Sequence, residues 1–134
     1  MSIHVDWDNE EKTILRWTYS PDWTWEEAYL ARDYERKLME NIPYIVDSIG
    51  DLTQTKNVPS GALTKIVNVM TKRHERIGTS VLVGSNRFVQ MIYNMVRKVH
   101  PGPLERARLY MVPTFEEAYA MIEADRAKRV KSVE

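Results

Sequence analysis

Tyr44-Ile45-Val46-Asp47-Ser48-Ile49, closing on Gly50-Asp51-Leu52, is the stretch whose reading decides the fold. It is apolar and β-prone, too short for a core helix, and ends on a glycine, so it reads as a buried strand. A polar loop follows from Thr53 to Pro59. Beyond it Leu63, Ile66, Val67, Met70 and His74 recur at helical spacing, with Ser60 placed to cap the start and Gly78 placed to cap the end. Thr79 to Val83 is then a continuous apolar run of the kind buried on both faces of a parallel sheet. Strand, helix and strand in this order imply a right-handed parallel crossover.

The same alternation extends outward in both directions. Toward the N-terminus, Ile3–Trp7 and Thr13–Tyr19 read as a hairpin around the polar turn Asp8-Asn9-Glu10-Glu11. Leu15, Trp17 and Tyr19 fall on one face of its second strand, and Ile14, Arg16 and Thr18 on the other. Thr24 with Glu27 forms a capping box for a helix running to about Asn41, with a stripe of Trp25, Ala28, Ala31, Tyr34 and Leu38. Toward the C-terminus, Gly84-Ser85-Asn86 turns into a helix carrying Phe88, Ile92, Met95, Val96 and Val99, which His100-Pro101-Gly102-Pro103 ends. Arg106 to Val112 is the last strand, and Thr114 with Glu117 caps a final helix through Phe115, Ala118, Met121 and Ile122. The expected fold is a single α/β domain over residues 1–125, with a mixed, mostly parallel sheet and about four helices. Residues 126–134 form a polar tail, either an extension of the last helix or a frayed end.

Composition narrows the function. Nineteen Lys and Arg balance nineteen Asp and Glu. Nucleic-acid binders need surplus positive charge to displace counterions from phosphates, so none is expected as a partner. A charge near zero also removes one barrier to self-association. Without cysteine there is no disulfide framework and no thiolate ligand or nucleophile. No apolar run approaches the ~20 residues of a membrane span. The N-terminus lacks the basic and apolar regions of a signal peptide, which makes the cytoplasm the expected compartment.

Catalytic and metal chemistry have no visible pattern. His4, His74 and His100 stand on different elements, without the close ligand pair typical of zinc sites. Asp47 and Asp51 share a strand face but stand ~13 Å apart, too far for paired catalytic carboxylates. Asp51 with Arg87 is the remaining enzymatic possibility, and no metal or cofactor is expected. Gly84-Ser85-Asn86 has neither dinucleotide nor P-loop glycines, although a helix start there can face an anion. Trp7, Trp17, Trp23, Trp25, Tyr19, Tyr29 and Tyr34 crowd the first third of the chain. These rings either fill the core between the hairpin and the first helix or stand in part exposed as anchors for a partner or lining for an apolar ligand. A hairpin and one helix have difficulty burying so many, and Trp23, in the Pro21-Asp22-Trp23 turn, is then the anchor for association.

The order of elements from Ile3 to Ile122 resembles the STAS domain, the fold of bacterial anti-sigma factor antagonists. Ile45-Val46-Asp47-Ser48-Ile49-Gly50-Asp51-Leu52 resembles that family's central strand ending in Asp-Leu. Val58-Pro59-Ser60-Gly61-Ala62-Leu63 resembles its Asp-Ser-Ser-Gly-Leu segment. Pro59 stands where that family carries its phosphorylated serine, and Val58 where it carries the acid. The resemblance therefore implies the fold without the usual phospho-switch.

The expected function is a non-enzymatic regulatory or docking module, for a protein partner or a second copy of itself. Its contact surface is expected at Asp51, Asn57, Pro59, Ser60, Gly61, Gly84, Ser85, Asn86 and Arg87. The alternative is a small-ligand domain taking an anion, nucleotide or lipid in the crevice at the same strand ends. A cavity of several hundred Å³ there, roughly the size of ordinary ligand pockets, favours the ligand, and a filled surface favours docking.

Overall fold

The computed structural model describes residues 2–84 and 86–133. Five strands form one sheet in sequence order: β1 (Ile3–Trp7), β2 (Ile14–Tyr19), β3 (Val46–Asp51), β4 (Ile77–Val83) and β5 (Leu109–Val112). β1 and β2 pair antiparallel, and the remaining neighbours pair parallel. The helices are α1 (Trp25–Met39), α2 (Ala62–Thr71), α3 (Arg87–Val99), α4 (Pro101–Ala107) and α5 (Phe115–Val133). The mixed α/β fold and the N-terminal hairpin are as the sequence predicts, with one helix more than expected.

The hairpin closes through Asn9, whose side-chain oxygen accepts from the Thr13 and Ile14 amides at 3.0 and 3.2 Å. Lys12 takes the left-handed conformation the turn requires, with φ 58°. Strand alternation then sorts the side chains. Leu15 and Trp17 face one side of the sheet with Val46 and Ile77, while Ile14, Ile49, Val81 and Val83 face the other, where Ala118 and Ile122 of α5 pack on them.

α1 starts as its capping box predicts. Thr24 Oγ1 accepts from the Glu27 amide, but the Glu27 carboxylate accepts from the Thr24 hydroxyl and the Ser2 amide. The buried stripe is Trp25, Ala28, Ala31, Glu35 and Met39. Tyr34, expected inside, is exposed, because the helical face turns Glu35 inward in its place.

Four readings are corrected around α2 and beyond. Gly61, at φ +88°, precedes α2 and its carbonyl accepts the Lys65 amide at 2.9 Å, whereas Ser60 is exposed and gives no side-chain cap. Gly78 lies within β4 rather than at a helix end, in a register shift opposite Val46–Ser48. A Cβ there would come 2.7 Å from Asp47 Oδ1, so the strand can approach that carboxylate only as glycine. Pro101-Gly102-Pro103 does not stop structure but opens α4, with proline at the first turn, where a missing N–H is tolerated. β5 consequently starts at Leu109.

The polar tail takes the form of a helix extension. α5 continues to Val133, and its later turns are bonded to the sheet. Asp47, fully buried in β3, accepts from Arg126 Nε at 2.7 Å and from Arg129 Nη2 at 2.9 Å, and also from the Thr79 amide at 2.8 Å. Asp125 accepts from the Thr79 hydroxyl at 2.7 Å. Residues 126–129 thus belong to the packed unit.

Candidate functional site

The predicted contact residues gather in part at the C-terminal ends of the parallel strands. Asp51 closes β3, and its Oδ1 accepts from the Thr53 amide and hydroxyl at 3.0 and 2.6 Å. That contact shapes the start of the loop, and Asp51 and Arg87 form no ion pair among the described residues. Leu52 donates to the Val83 carbonyl, and Gly84 packs against Leu52, so Asp51 and Gly84 are neighbours. Asn57, Ser60 and Gly61 are exposed. Pro59 is half-buried, and its carbonyl accepts from Trp25 Nε1 at 3.1 Å. Ser85 lies outside the described residues. Asn86 caps α3, accepting from the Phe88 and Val89 amides at 2.8 and 3.3 Å. Arg87 opens the helix and is exposed.

Trp23 is not an exposed anchor. Only 6% of it is accessible, and its ring meets Tyr19 and Trp25 edge-on at 5.0 and 4.9 Å. Trp17 and Trp25 are buried in the same cluster. The rings fit because α2 also covers this face of the sheet, supplying Val69, Ala62 and Ile66. Counting the hairpin and α1 alone underestimates the available core.

α3 presents the unexpected surface. Its inward face is Val89, Ile92, Tyr93 and Val96, of which Val89 and Val96 are buried and the other two pack against the core. Phe88, Met91, Met95 and Val99 stay 40%, 49%, 43% and 57% exposed. At ~100° per residue these four lie on one stripe of the helix, beside the inward one. Arg87 and Lys98 lie along the outer flank of that stripe, and α3 contains no acid. The sequence reading takes Phe88, Met95 and Val99 together with Ile92 and Val96 as one apolar set and does not separate the two faces.

A second polar feature lies under α1 and α2, on the opposite side of the sheet from Asp47. Glu35, 3% exposed, accepts from Trp17 Nε1 at 2.6 Å. Burial pushes its carboxyl up to about 7, although the Trp17 hydrogen bond, Arg73 and Arg36 pull against that rise. Arg73 donates to Ser80 Oγ at 2.8 Å and to the Gly78 carbonyl at 3.1 Å, and Ser48 Oγ donates to Ser80 Oγ at 2.8 Å. Burial holds the Arg73 guanidinium below its ordinary value, against the opposing charges of Glu35 and Asp47. Asp47 moves the other way. Burial alone would raise it, but hydrogen bonds from Arg129, the Thr79 amide and Arg126 outweigh that and hold it low.

The chain matches no protein-family model, no curated protein and no solved structure. No helix among the described residues is long and apolar enough to cross a membrane. No group of three or more potential metal ligands occurs among them either.

A cavity of about 100 Å³ lies between the sheet and α1–α3, reaching Gly50, Leu52 and Leu82 near the strand ends. It is below the ~300 Å³ at which ordinary ligand pockets begin, so it lacks the room for a nucleotide. A wider opening of about 410 Å³ lies between α3 and the end of β5, lined by Tyr93, Asn94, Arg97, Tyr110, Val112 and Met121 among others.

Proposed function

We propose that this chain is a non-enzymatic, STAS-like docking module that binds an acidic amphipathic helix along α3. The observation carrying the reading is the exposed stripe of Phe88, Met91, Met95 and Val99 on a helix whose charges are all positive. Apolar residues aligned along one helix and left in water mark a contact surface, and the i, i+3, i+7 pattern suits a partner helix. Arg87 and Lys98 along the flank select acidic residues on that partner. A second α3 from another copy would place like charges together, which disfavours symmetric self-pairing through this face. The exposed loop at Asn57, Ser60 and Gly61 extends the surface proposed from the sequence. Pro59 in place of the phosphorylated serine supports a module that is not switched at that position.

The test uses a designed helical peptide with leucines at matching spacing and glutamates on one flank. In amide-resolved NMR, shifts should concentrate on residues 87–99, and added salt should weaken them. Phe88→Ser with Met95→Ser should abolish the shifts while changing stability by less than ~1 kcal/mol, since both side chains are exposed. Shifts that a scrambled peptide of equal composition reproduces, or that avoid α3, would refute the proposal.

A further inference from the structure

The core beneath α1 contains an unfilled space, and two of the residues lining it carry buried hydrogen-bond donors without a partner, an observation independent of the α3 surface. The cavity of about 100 Å³ is walled mainly by apolar groups, and Trp23 and Arg32 are among its lining. Both have buried nitrogens without a partner: Trp23 Nε1, and Nε and Nη1 of Arg32. The other two tryptophans lining the cavity are satisfied, Trp17 by Glu35 and Trp25 by the Pro59 carbonyl. A buried donor left empty costs ~1–3 kcal/mol, so an unfilled Trp23 indole in an otherwise closed ring cluster calls for an acceptor. Arg32 has its Cζ 5.4 Å from the Tyr29 ring centroid and its Nη2 3.6 Å from Asp33 Oδ1, which leaves its remaining nitrogens free.

Size and charge define what fits. The space exceeds the ~10–15 Å³ a single water needs and approaches the ~150 Å³ of a cavity that accepts benzene. A molecule with one ring or a short chain therefore matches the apolar wall. An indole N–H and a guanidinium are both donors, and the second carries charge, so the complementary group is an oxygen anion. Glu35, the one acid in the lining, resists ionisation through burial and so opposes such an anion less than an ordinary carboxylate would. We propose that this cavity is a binding site for a small apolar carboxylate, whose oxygens accept from Trp23 Nε1 and Arg32 while its body fills the space against the aromatic wall.

Benzoate is the probe, with benzyl alcohol as its neutral counterpart. The indole N–H signals of the four tryptophans can be followed by NMR during titration. Benzoate should shift the Trp23 signal saturably, in the millimolar range or tighter. Trp23→Phe, which keeps a ring but removes the N–H, should weaken binding roughly tenfold or more. Arg32→Gln should weaken benzoate while leaving benzyl alcohol unchanged. Ala62→Phe should fill the space and remove binding, and a melting curve would show whether that variant folds. The proposal is overturned if wild-type protein shows no saturable shift. It is equally overturned if Trp23→Phe and Arg32→Gln bind benzoate as wild type does, or if benzyl alcohol binds as tightly as benzoate.

Discussion

Glu35 and Asp47 are two buried acids on opposite faces of the sheet, and their environments drive them in opposite directions. Glu35 has a single hydrogen bond, from Trp17, and burial raises its carboxyl to about 7 from an ordinary 4.5. Below 4.5 both folded and unfolded chains hold this proton, so the full contribution to stability is present. As pH rises toward 7 the unfolded chain releases the proton first, and stability falls until the folded carboxyl also ionises. Glu35→Gln should remove this dependence. Its melting temperature relative to wild type should climb between pH 4.5 and 7 and level off above, by an amount on the order of a few kcal/mol in stability. A constant offset across that range would mean Glu35 is not ionising in the core. Asp47 contributes stability above the ordinary carboxylate range, and loses it as pH falls through its lowered folded value. Asp47→Ala should cost about 3 kcal/mol at neutral pH in a denaturant titration, because the Thr79 amide and two guanidinium groups lose their acceptor. The sequence made Asp47 legible as a strand residue on the face opposite Ser48. Its partners were not legible, since Arg126 and Arg129 are distant in the chain and their stretch reads as a polar tail. Glu35 was missed for another reason. A charged residue next to Tyr34 on a helix is assigned outward by hydropathy, and the Trp17 indole across the gap, with Arg73 and Arg36 nearby, makes its burial tolerable.

Among the elements, those with strong local chemistry were readable and those set by tertiary contact were not. Asn86 and Thr114 cap their helices through the first-turn amides of Phe88, Val89 and Glu117, as their sequence context indicates. Asn86→Ala should accordingly destabilise by ~1 kcal/mol, measured by denaturant unfolding. α4 was hidden by Pro101 and Pro103, which serve equally as helix breakers and as first-turn residues. On α3 every third or fourth position is apolar over an arc wider than the core can use, so periodicity alone could not say which edge stays in water. α5 gives the sharpest element-scale test. Deleting residues 126–134 should destabilise about as much as Asp47→Ala, since both break the same cluster. Adding Asp47→Ala to the truncated chain should then cost much less than it does in the full chain. Additive losses would show that the C-terminal turns and Asp47 act separately.

For the whole molecule, the order of strands and crossovers was legible because each parallel step is encoded by an apolar strand followed by an amphipathic helix. Five consecutive strands in sequence order leave α1 to α4 on one face of the sheet and α5 on the other. The single helix on the second face explains why its last turns need the Asp47 anchor. The crowded face explains how three tryptophans become core, while α3 keeps four large apolar side chains aligned in water. The docking proposal rests on that alignment. It is tested most directly by replacing Met91 with a photo-crosslinking residue in cells that make the protein, with the same residue at exposed Glu123 on α5 as control. Sequencing the adducts should identify a segment with net negative charge and apolar residues at helical spacing, joined from position 91 and not from 123. Adducts absent from position 91, or falling on exposed Leu30 and Tyr34 of a second copy, would contradict the account, the latter in favour of self-association.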